Sequence, residues 1–327
     1  MRPFVLYGSV FVEFAGTAMK LLSVTKIWDK GEHNAFTDLI EFQGRLYCAF
    51  REGSAHVSPD GGLRVLMSSD AGRNWHSAAF IRVAKGDLRD ARLLVWQGQL
   101  YLFGARTLEG EPLQSLMWRS EDGSQWQEAQ PCADSGYWLW RVIAAADCLY
   151  GVAYRPGPDG DVRLYRASAG QPLQGVDFTS LVAPLNQDGY VNESGLEFSG
   201  GTLTCLLRRD PVWDERKLAL LGKAEAPFTD WRWLELDCRI GGPVAFRWRG
   251  RLLAIVRLYG DKVRTSLVEI CETTGHVAEH LALPSGGDTS YAGVLMRATG
   301  DSDELWVSYY SSHEGKTAIY FASLLLE

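Results

Sequence analysis

The chain has 327 residues, of which 46% are hydrophobic, and it contains 34 glycines and 12 tryptophans. This length and apolar content suit one large β-domain with many tight turns, so two domains are not required. The formal net charge of −7 argues against nucleic-acid binding, which favours a basic face, and no apolar run is long enough to span a membrane.

The first 20 residues combine an arginine, an apolar stretch and small residues, which is a weak outline of a secretory signal. Glu13 interrupts the apolar stretch, so we interpret residues 1–18 as an appended extension and residues 19–327 as a single domain. The compartment, cytoplasmic or secreted/periplasmic, stays open. The next segment, LLSVTKIW at 21–28, is predicted to pair with the C-terminal segment IYFASLLL and close a ring, because closure removes exposed strand edges.

A repeat runs through the rest of the chain. Six segments (GRLYCAFRE, GQLYLFGAR, DCLYGVAYR, GTLTCLLRR, GRLLAIVRL and DELWVSYYS) each carry a marker leucine, and successive markers are 49 to 54 residues apart. The marker leucines are Leu46, Leu100, Leu149, Leu203, Leu252 and Leu305. A period of about 50 residues, built from short alternating strands, is typical of propeller blades. The sequence therefore predicts an all-β, six-bladed propeller with four antiparallel strands in each blade.

Cysteines and histidines give no sign of a cofactor. Cys48 and Cys205 occupy equivalent strands of different blades, so buried free thiols are expected rather than disulfides. His276 and His280 lie in a predicted outer hairpin without a third ligand. No metal or other cofactor is expected, and the oligomeric state stays open.

Polar residues are predicted to meet where the first strands of the blades converge on the central funnel. The first strands carry Asp38, Asp90, Arg141, Glu193 and Tyr291. Five blades also place an arginine five or six residues after the marker leucine, at Arg51, Arg106, Arg155, Arg208 and Arg257. Two interpretations stay open: the arginines pair with carboxylates and join the blades, or they bind a carboxylate or sulfate through their paired N–H groups.

Two turns share Ser, Asp, Gly and Trp in the same order, in LMSSDAGRNW at 66–75 and WRSEDGSQW at 118–126. Asp and Gly supply the local hydrogen bonds and the positive φ of a hairpin. The stretches resemble the Asp-box repeat of sialidases and related six-bladed propellers, with Asn74 in place of the usual Thr. The resemblance implies a peripheral hairpin in each case, so Trp75 and Trp126 are predicted to be structural.

Other segments resemble the catalytic elements of sialidases. NESGLEFSGGTLTCLLRR at 192–209 is similar to the segment in which a Glu and a later Arg support catalysis and carboxylate binding, which implies Glu193 and Arg208. SYAGVL resembles the element that carries the nucleophile and implies Tyr291. A neutral phenol suits a sugar with a carboxylate at its anomeric carbon, since it avoids the repulsion that a carboxylate nucleophile would meet.

Four further residues follow from the same resemblance. VRTSLVEI implies that Arg264 binds the substrate carboxylate. CAFREGSAHVSPDGGL resembles the loop that delivers the general acid/base, which implies Asp60, with His56 close by. RDARLL implies that Asp90 lies in the site.

The first blade departs from the sialidase pattern. Sialidases open this blade with Phe/Tyr-Arg-Ile-Pro, whose Arg belongs to a carboxylate-binding triad, whereas this chain has FTDL, so that Thr37 stands where that Arg would be. Arg51 or Arg89 could take its place. Close charge pairs of this kind are worth about 2–5 kcal/mol when buried.

Together these patterns predict an exo-acting glycoside hydrolase that cleaves a terminal acidic sugar, such as a sialic acid or another ulosonic or uronic acid, from a carbohydrate or glycoconjugate. Substrate-binding residues are expected among Arg208, Arg264, Arg51, Asp90, His56, Asp38 and Arg141. Three alternatives stay open: a carbohydrate-binding propeller without catalysis, a glycosidase or lyase with another acidic-sugar specificity, and an interaction scaffold that uses the blade edges.

Overall fold

The structure is a computed structural model that describes residues 19–145, 147–157, 160–167, 178–181, 189–299 and 302–327. These residues form 24 β-strands in six four-stranded antiparallel sheets, with no α-helix among them. The predicted all-β, six-bladed propeller is confirmed. The predicted extension at 1–18 lies outside the described residues. Within those residues, there is no helix with the length and apolar character needed to cross a membrane.

The first three blades each use four consecutive strands. Blade 1 contains β2 (His33–Phe42), β3 (Arg45–Gly53), β4 (Gly62–Ser68) and β5 (His76–Ile81). Blade 2 contains β6 (Asp87–Trp96), β7 (Gln99–Thr107), β8 (Gln114–Ser120) and β9 (Gln130–Pro131). Blade 3 contains β10 (Trp138–Ala145), β11 (Cys148–Tyr154), β12 (Val162–Ala167) and β13 (Thr179–Ser180).

The remaining blades complete the ring. Blade 4 contains β14 (Val191–Ser199), β15 (Thr202–Arg209), β16 (Leu220–Glu225) and β17 (Arg232–Glu235). Blade 5 contains β18 (Ile240–Trp248), β19 (Arg251–Leu258), β20 (Arg264–Ile270) and β21 (Val277–Ala282). Blade 6 contains β22 (Thr289–Thr299), β23 (Ser302–Ser311), β24 (Ala318–Leu326) and, as its outermost strand, β1 (Met19–Trp28).

The pairing of β1 with β24 closes the ring. Their register runs from Met19 opposite Leu326 to Trp28 opposite Ile319. The N-terminal strand thus completes the last blade through main-chain hydrogen bonds, as the sequence predicted, and the chain then continues directly into β2 of the first blade.

The marker leucines form the interior of the sheets. All six lie in the second strand of their blade, and none has more than 3% of its surface exposed. A second strand has a neighbour on each side and a blade against each face, so apolar residues are favoured on both of its faces. The six cysteines are free thiols, and burial raises the pKa of Cys48 and Cys205 above the usual range.

The two Ser-Asp-Gly turns join the third and fourth strands of blades 1 and 2 and have the same internal hydrogen bonds. In the first, the amide of Gly72 donates to Ser68 Oγ at 3.0 Å; in the second, the amide of Gly123 donates to Ser120 Oγ at 2.8 Å. A Cβ on Gly72 would lie 2.6 Å from the ring of Phe321 in blade 6. On Gly123, a Cβ would lie 2.4 Å from an aromatic ring of blade 1. The glycines therefore let each turn pack on the preceding blade.

The tryptophans of these turns are half-buried. The Trp75 ring centroid lies 5.6 Å from that of Phe321, and its Nε1 donates to the carbonyl of Gly72 at 2.9 Å. Trp126 packs against the core shared by blades 1 and 2. Both contacts are structural. Because the two rings are only partly buried, replacing either by Ala should reduce the free energy of unfolding by less than the ~3–5 kcal/mol expected for a fully buried aromatic residue.

An ion pair between Asp38 and Arg141 joins four blades at the propeller axis. Asp38 Oδ1 accepts a hydrogen bond from Arg141 Nη1 at 2.9 Å, and Oδ2 accepts one from the amide of Leu93 at 2.8 Å. The other terminal nitrogen of Arg141 donates to the carbonyl of Ala292 at 2.9 Å. Asp38 and Arg141, expected from the sequence to bind substrate, thus have intramolecular partners that connect blades 1, 2, 3 and 6.

We predict that Asp38→Ala will destabilise the fold by about 3–5 kcal/mol, because it leaves the largely buried guanidinium of Arg141 without its counter-charge. The free energy of unfolding in denaturant measures the effect. The control is Glu111→Ala, which breaks the more exposed Arg106–Glu111 pair and should cost less than about 1 kcal/mol. Equal losses in the two variants would show that the axial ion pair has no special role.

Candidate active site

The first strand of every blade carries a register shift at an equivalent position. In five blades, two residues of the first strand oppose one of the second, and blade 3 has one unpaired residue. Such β-bulges bend the strand and redirect a side chain. The residues within the shifts include Phe36, Asp90, Trp140, Glu193, Gly242 and Tyr291. The candidate site is built largely from these positions.

Tyr291 and Glu193 form the centre of the site. The phenol of Tyr291 donates a hydrogen bond of 2.5 Å to Glu193 Oε1, while the amide of Gly242 donates to Oε2 at 2.7 Å. Only 6% of Tyr291 and 8% of Glu193 is exposed. The structure thus brings Tyr291 and Glu193, for which the sequence resemblance implies the roles of nucleophile and assisting carboxylate, into direct contact across blades 6 and 4.

The electrostatics of the pair fix which partner holds the proton. Burial raises the pKa of Tyr291 well above its ordinary value, and the charge of Glu193 raises it further. Burial also opposes ionisation of Glu193, but the Arg208 charge and the hydrogen bonds from Tyr291 and Gly242 outweigh it, so the pKa of Glu193 lies below its ordinary value. At neutral pH the site therefore holds a neutral phenol bound to an ionised carboxylate.

Two guanidinium groups flank Tyr291. Arg208 Nη1 donates to Glu193 Oε1 at 2.7 Å and to the Tyr291 oxygen at 3.3 Å. The guanidinium carbon of Arg257 lies 4.8 Å from the centre of the Tyr291 ring, and its Nε donates to the carbonyl of Thr289 at 2.8 Å. Both arginines lie five residues after their marker leucines, on the second strands of blades 4 and 5.

The structure does not bring Arg264 to this site. Arg264 begins the third strand of blade 5 and forms a two-point ion pair with Glu279, with distances of 2.7 and 2.5 Å. Arg257 contributes the second guanidinium in its place. The sequence contained the signal that identifies Arg257, since its spacing from Leu252 equals that of Arg208 from Leu203.

The end of β3 and the loop that follows it in blade 1 place Arg51 and Asp60 differently from what the sequence resemblance implied. Arg51 is fully buried and donates to Asp87 at 2.8 Å, so it cannot contact a sugar. Asp60 is exposed and accepts hydrogen bonds from the amide and hydroxyl of Ser54. Hydrogen bonds from the hydroxyls of Ser58 and Ser54 lower the pKa of Asp60 to about 2, which makes it a poor proton donor at neutral pH.

His56, from the same loop, does reach the site. Its Nδ1 lies 2.9 Å from Asp288 Oδ2, and its ring centroid lies 5.3 Å from that of Phe36 in an edge-on arrangement. Phe36 in turn lies edge-on to Tyr291, with centroids 5.2 Å apart. The histidine is therefore separated from the phenol ring by one aromatic side chain.

Asp90 lies in the wall of the site and is 4% exposed. Burial raises its pKa, and the charges of Arg92 and Arg89 only partly offset this effect. Within the described part of the chain, its Oδ1 accepts no hydrogen bond, and Arg92 Nη2 lies 3.5 Å from it as an ion-pair partner. A buried carboxyl oxygen that accepts no hydrogen bond is suited to binding a sugar hydroxyl, because the ligand would supply the missing donor.

Thr37, at the position of the missing triad arginine, lies in the interior. It has no exposed surface, and its hydroxyl donates to the main-chain oxygen of Tyr291 at 3.1 Å. Phe36 forms that part of the wall instead. The guanidinium carbon of Arg89 lies 5.3 Å from the Phe36 ring centre, and 8% of Arg89 is exposed. Arg89, unlike the fully buried Arg51, thus keeps some exposed surface beside Phe36, and its Nη1 lies 3.5 Å from Asp87 Oδ2.

Comparison with solved structures shows the fold. A protein of unknown function from Dyadobacter fermentans is 16% identical, with a TM-score of 0.74 over 95% of this chain and 100% of that one. A Penicillium chrysogenum α-L-arabinanase complexed with arabinobiose is 12% identical, with a TM-score of 0.68 over 92% and 98%. A Trypanosoma rangeli sialidase is 12% identical, with a TM-score of 0.65 over 95% of this chain and 60% of that one. This chain therefore has the six-bladed fold of the sialidase and arabinanase propellers. No protein-family model and no curated protein matches the sequence.

The contact between Gly242 and Tyr291 gives a test of the site geometry. A Cβ on Gly242, whose φ is +51°, would lie 2.9–3.1 Å from three ring carbons of Tyr291. We predict that Gly242→Ala will displace the ring, break the bond to Glu193 and destabilise the fold by about 1–3 kcal/mol. A crystal structure of the variant and its free energy of unfolding measure the two effects.

Gly250→Ala is the matched control. Gly250 also has a positive φ, +80°, but a Cβ there would have no atom within 4 Å. Backbone strain alone would affect both variants, so the excess loss in Gly242→Ala reports the contact with Tyr291. An unmoved tyrosine ring in Gly242→Ala would contradict the packing described above.

Proposed function

We propose that this protein is an exo-acting glycoside hydrolase that removes a terminal acidic sugar, such as a sialic acid or another ulosonic or uronic acid. The observation that carries the proposal is the buried pair of Tyr291 and Glu193, a neutral phenol that donates a 2.5 Å hydrogen bond to an ionised carboxylate. The fold, shared with a sialidase and an arabinanase, is one on which glycoside hydrolases are built.

In the proposed reaction, Tyr291 attacks the anomeric carbon while Glu193 accepts the phenolic proton. Nucleophiles of this kind are weak at their ordinary pKa and need an adjacent base. Arg208, 3.3 Å from the phenol oxygen, stabilises the negative charge that develops there, and its effect is strong because the pair is largely shielded from water. A neutral nucleophile also avoids repulsion by an anionic substrate, which favours an acidic sugar.

The two flanking arginines support the same substrate class. Each is anchored by part of its guanidinium, yet Arg208 Nη2 and Arg257 Nη1 make no hydrogen bond to the described residues. Planar guanidinium groups bind carboxylates through such N–H donors. We propose that these two groups bind the substrate carboxylate, with Arg89 as a third cation and Asp90 as the ligand of a sugar hydroxyl.

A glycosidase that acts on a neutral sugar is the second candidate. It is favoured by Thr37, which removes one positive charge from the first blade, and a propeller of similar fold is described as an arabinanase. Assays should therefore include 4-nitrophenyl glycosides of acidic sugars and of neutral pentoses. Binding of an acidic sugar without hydrolysis of any glycoside would instead indicate a carbohydrate-binding propeller, and release of an unsaturated product would indicate a lyase.

We predict that Tyr291→Phe will lower kcat on the preferred aryl glycoside by more than about 10³-fold, because the nucleophile is lost. Binding of the anionic product should be about unchanged, since the arginines remain. Release of nitrophenol and calorimetric titration with the product measure the two effects. Full activity in this variant would rule out the tyrosine mechanism and direct attention to a pair of carboxylates that includes Asp90.

We predict that Arg208→Lys will weaken binding of the anionic product by roughly 10- to 100-fold, because a point charge cannot reproduce the planar set of donors. Arg264→Lys is the matched control, since Arg264 is paired with Glu279 outside the site and its replacement should leave product binding unchanged. If both variants bind the product as the wild type does, the carboxylate site lies elsewhere.

A further inference from the structure

We infer that His56, held by Asp288, is the residue that gives a proton to the leaving-group oxygen and later takes one from water. The inference rests on the proposed function and reassigns the acid/base role that the sequence resemblance gave to Asp60. It starts from one juxtaposition: an exposed imidazole from the blade 1 loop contacts Asp288, the residue immediately before the blade 6 strand that carries Tyr291.

Asp288 is a firmly held partner. Its Oδ2 lies 2.9 Å from His56 Nδ1 and 3.2 Å from His33 Nε2. Its Oδ1 accepts hydrogen bonds from the Tyr310 hydroxyl at 2.6 Å and from Arg257 at 3.1 Å. A carboxylate with four donors around it has little freedom to turn, so it fixes the orientation of the His56 ring.

The protonation of Asp288 determines which nitrogen of His56 can exchange a proton. Burial raises the pKa of Asp288, but the hydrogen bonds from His33, His56 and Tyr310 outweigh it and hold that pKa well below its usual range. An ionised carboxylate can only accept, so His56 Nδ1 carries its hydrogen in both charge states. Nε2 is then the atom that gains and loses the proton, as in other histidine–carboxylate pairs.

The position of His56 suits a leaving group. Its side chain is 51% exposed, whereas Asp90 is 4% exposed in the wall and Tyr291 is 6% exposed. The aglycone of an exo-acting enzyme must extend toward solvent, so its oxygen meets the exposed group rather than the buried ones. Asp60, in the same loop, is exposed as well, but it is engaged with Ser54.

The proposed reaction has two halves, formation of a glycosyl-enzyme on Tyr291 and its hydrolysis by water. In the first, Tyr291 Oη bonds to the anomeric carbon, the bond to the aglycone oxygen breaks, Glu193 takes the phenolic proton, and His56 Nε2 gives its proton to the leaving oxygen. In the second, neutral His56 takes a proton from water, whose oxygen bonds to the anomeric carbon as the bond to Tyr291 breaks. The phenol then recovers its proton from Glu193.

A bound metal is the main competing use of this cluster. The ligand atoms of His33, His56 and Asp288 lie within 4.8 Å of one another, which is close enough to hold one ion. However, Arg257 already neutralises Asp288, and a divalent cation beside a guanidinium would meet repulsion. We therefore favour proton transfer over metal binding here.

The test compares leaving groups. For His56→Ala, kcat/KM on an alkyl glycoside of the preferred sugar should fall by about 10²–10⁴-fold, as expected for loss of a general acid. On the 4-nitrophenyl glycoside the fall in kcat/KM should be much smaller, since nitrophenolate leaves without a proton. Azide should raise kcat of the variant on the nitrophenyl substrate, because it attacks the glycosyl-enzyme without a base. His56→Gln, which keeps a hydrogen-bonding side chain beside Asp288, should behave in the same way.

Asp60→Ala and Asp90→Asn are the comparison variants, and neither should show a difference between the two leaving groups. A leaving-group difference in either variant, or an equal loss on both substrates in His56→Ala, would overturn the assignment of His56. So would loss of wild-type activity in EDTA with recovery on adding zinc. In each of these cases an active wild type and an inactive Tyr291→Phe would leave the proposed function standing. Failure of the wild type on every glycoside would remove the proposed function and this inference together.

Asp288 is proposed as a positioning residue, so its test needs a readout beyond activity. The wild type should show a downfield ¹H resonance from the Nδ1 proton of His56, and Asp288→Asn should remove it. Like His56→Ala, Asp288→Asn should also lower kcat/KM more on the alkyl glycoside than on the 4-nitrophenyl glycoside. Persistence of that resonance in Asp288→Asn would overturn the positioning role.

Discussion

The register shift in the first strand of each blade is the constraint on which the site depends. A regular strand would alternate its side chains between the two neighbouring blades, leaving no residue aimed along the funnel. The shift redirects one residue per blade, and four of these positions (Phe36, Asp90, Gly242 and Tyr291) have φ values between 49° and 64°. Such a backbone is costly for residues other than glycine and is typically found where function requires it. Six equivalent shifts around a closed ring thus bring residues from six distant parts of the chain together, five through their side chains and Gly242 through its amide.

Charges that lie this deep are tolerated because each has partners. Arg208 bridges Glu193 and Asp210, and Arg239 pairs with Asp210 in turn. At the axis, Asp38 and Arg141 compensate one another. An uncompensated buried charge would shift its pKa toward the neutral form or destabilise the fold. The same network that stabilises the propeller therefore keeps Glu193 ionised and Tyr291 protonated, which is the state that a tyrosine nucleophile needs before it reacts.

Sequence periodicity was sufficient for the blades, since a repeat of marker leucines reports burial on both faces of a strand. The same repeat puts Glu193, Arg208 and Tyr291 at equivalent ends of their blades, and the structure shows the three side chains in contact. It does not decide between residues of one loop: Asp60 and His56 are four residues apart, and only the folded loop shows that His56 contacts Asp288. Nor does a local resemblance reveal that Arg264 pairs with Glu279 on the next strand.

The central claim is that Tyr291 forms a covalent bond with the sugar, and capture of that intermediate tests it most directly. A fluorinated, activated derivative of the preferred sugar should accumulate as a glycosyl-enzyme, since fluorine next to the anomeric centre slows both steps and a good leaving group speeds the first. Peptide mapping by mass spectrometry should then find the sugar on Tyr291, within the buried strand that begins at Thr289. An adduct on a carboxylate such as Asp90 or Glu193, or turnover with inversion and no adduct, would contradict the account.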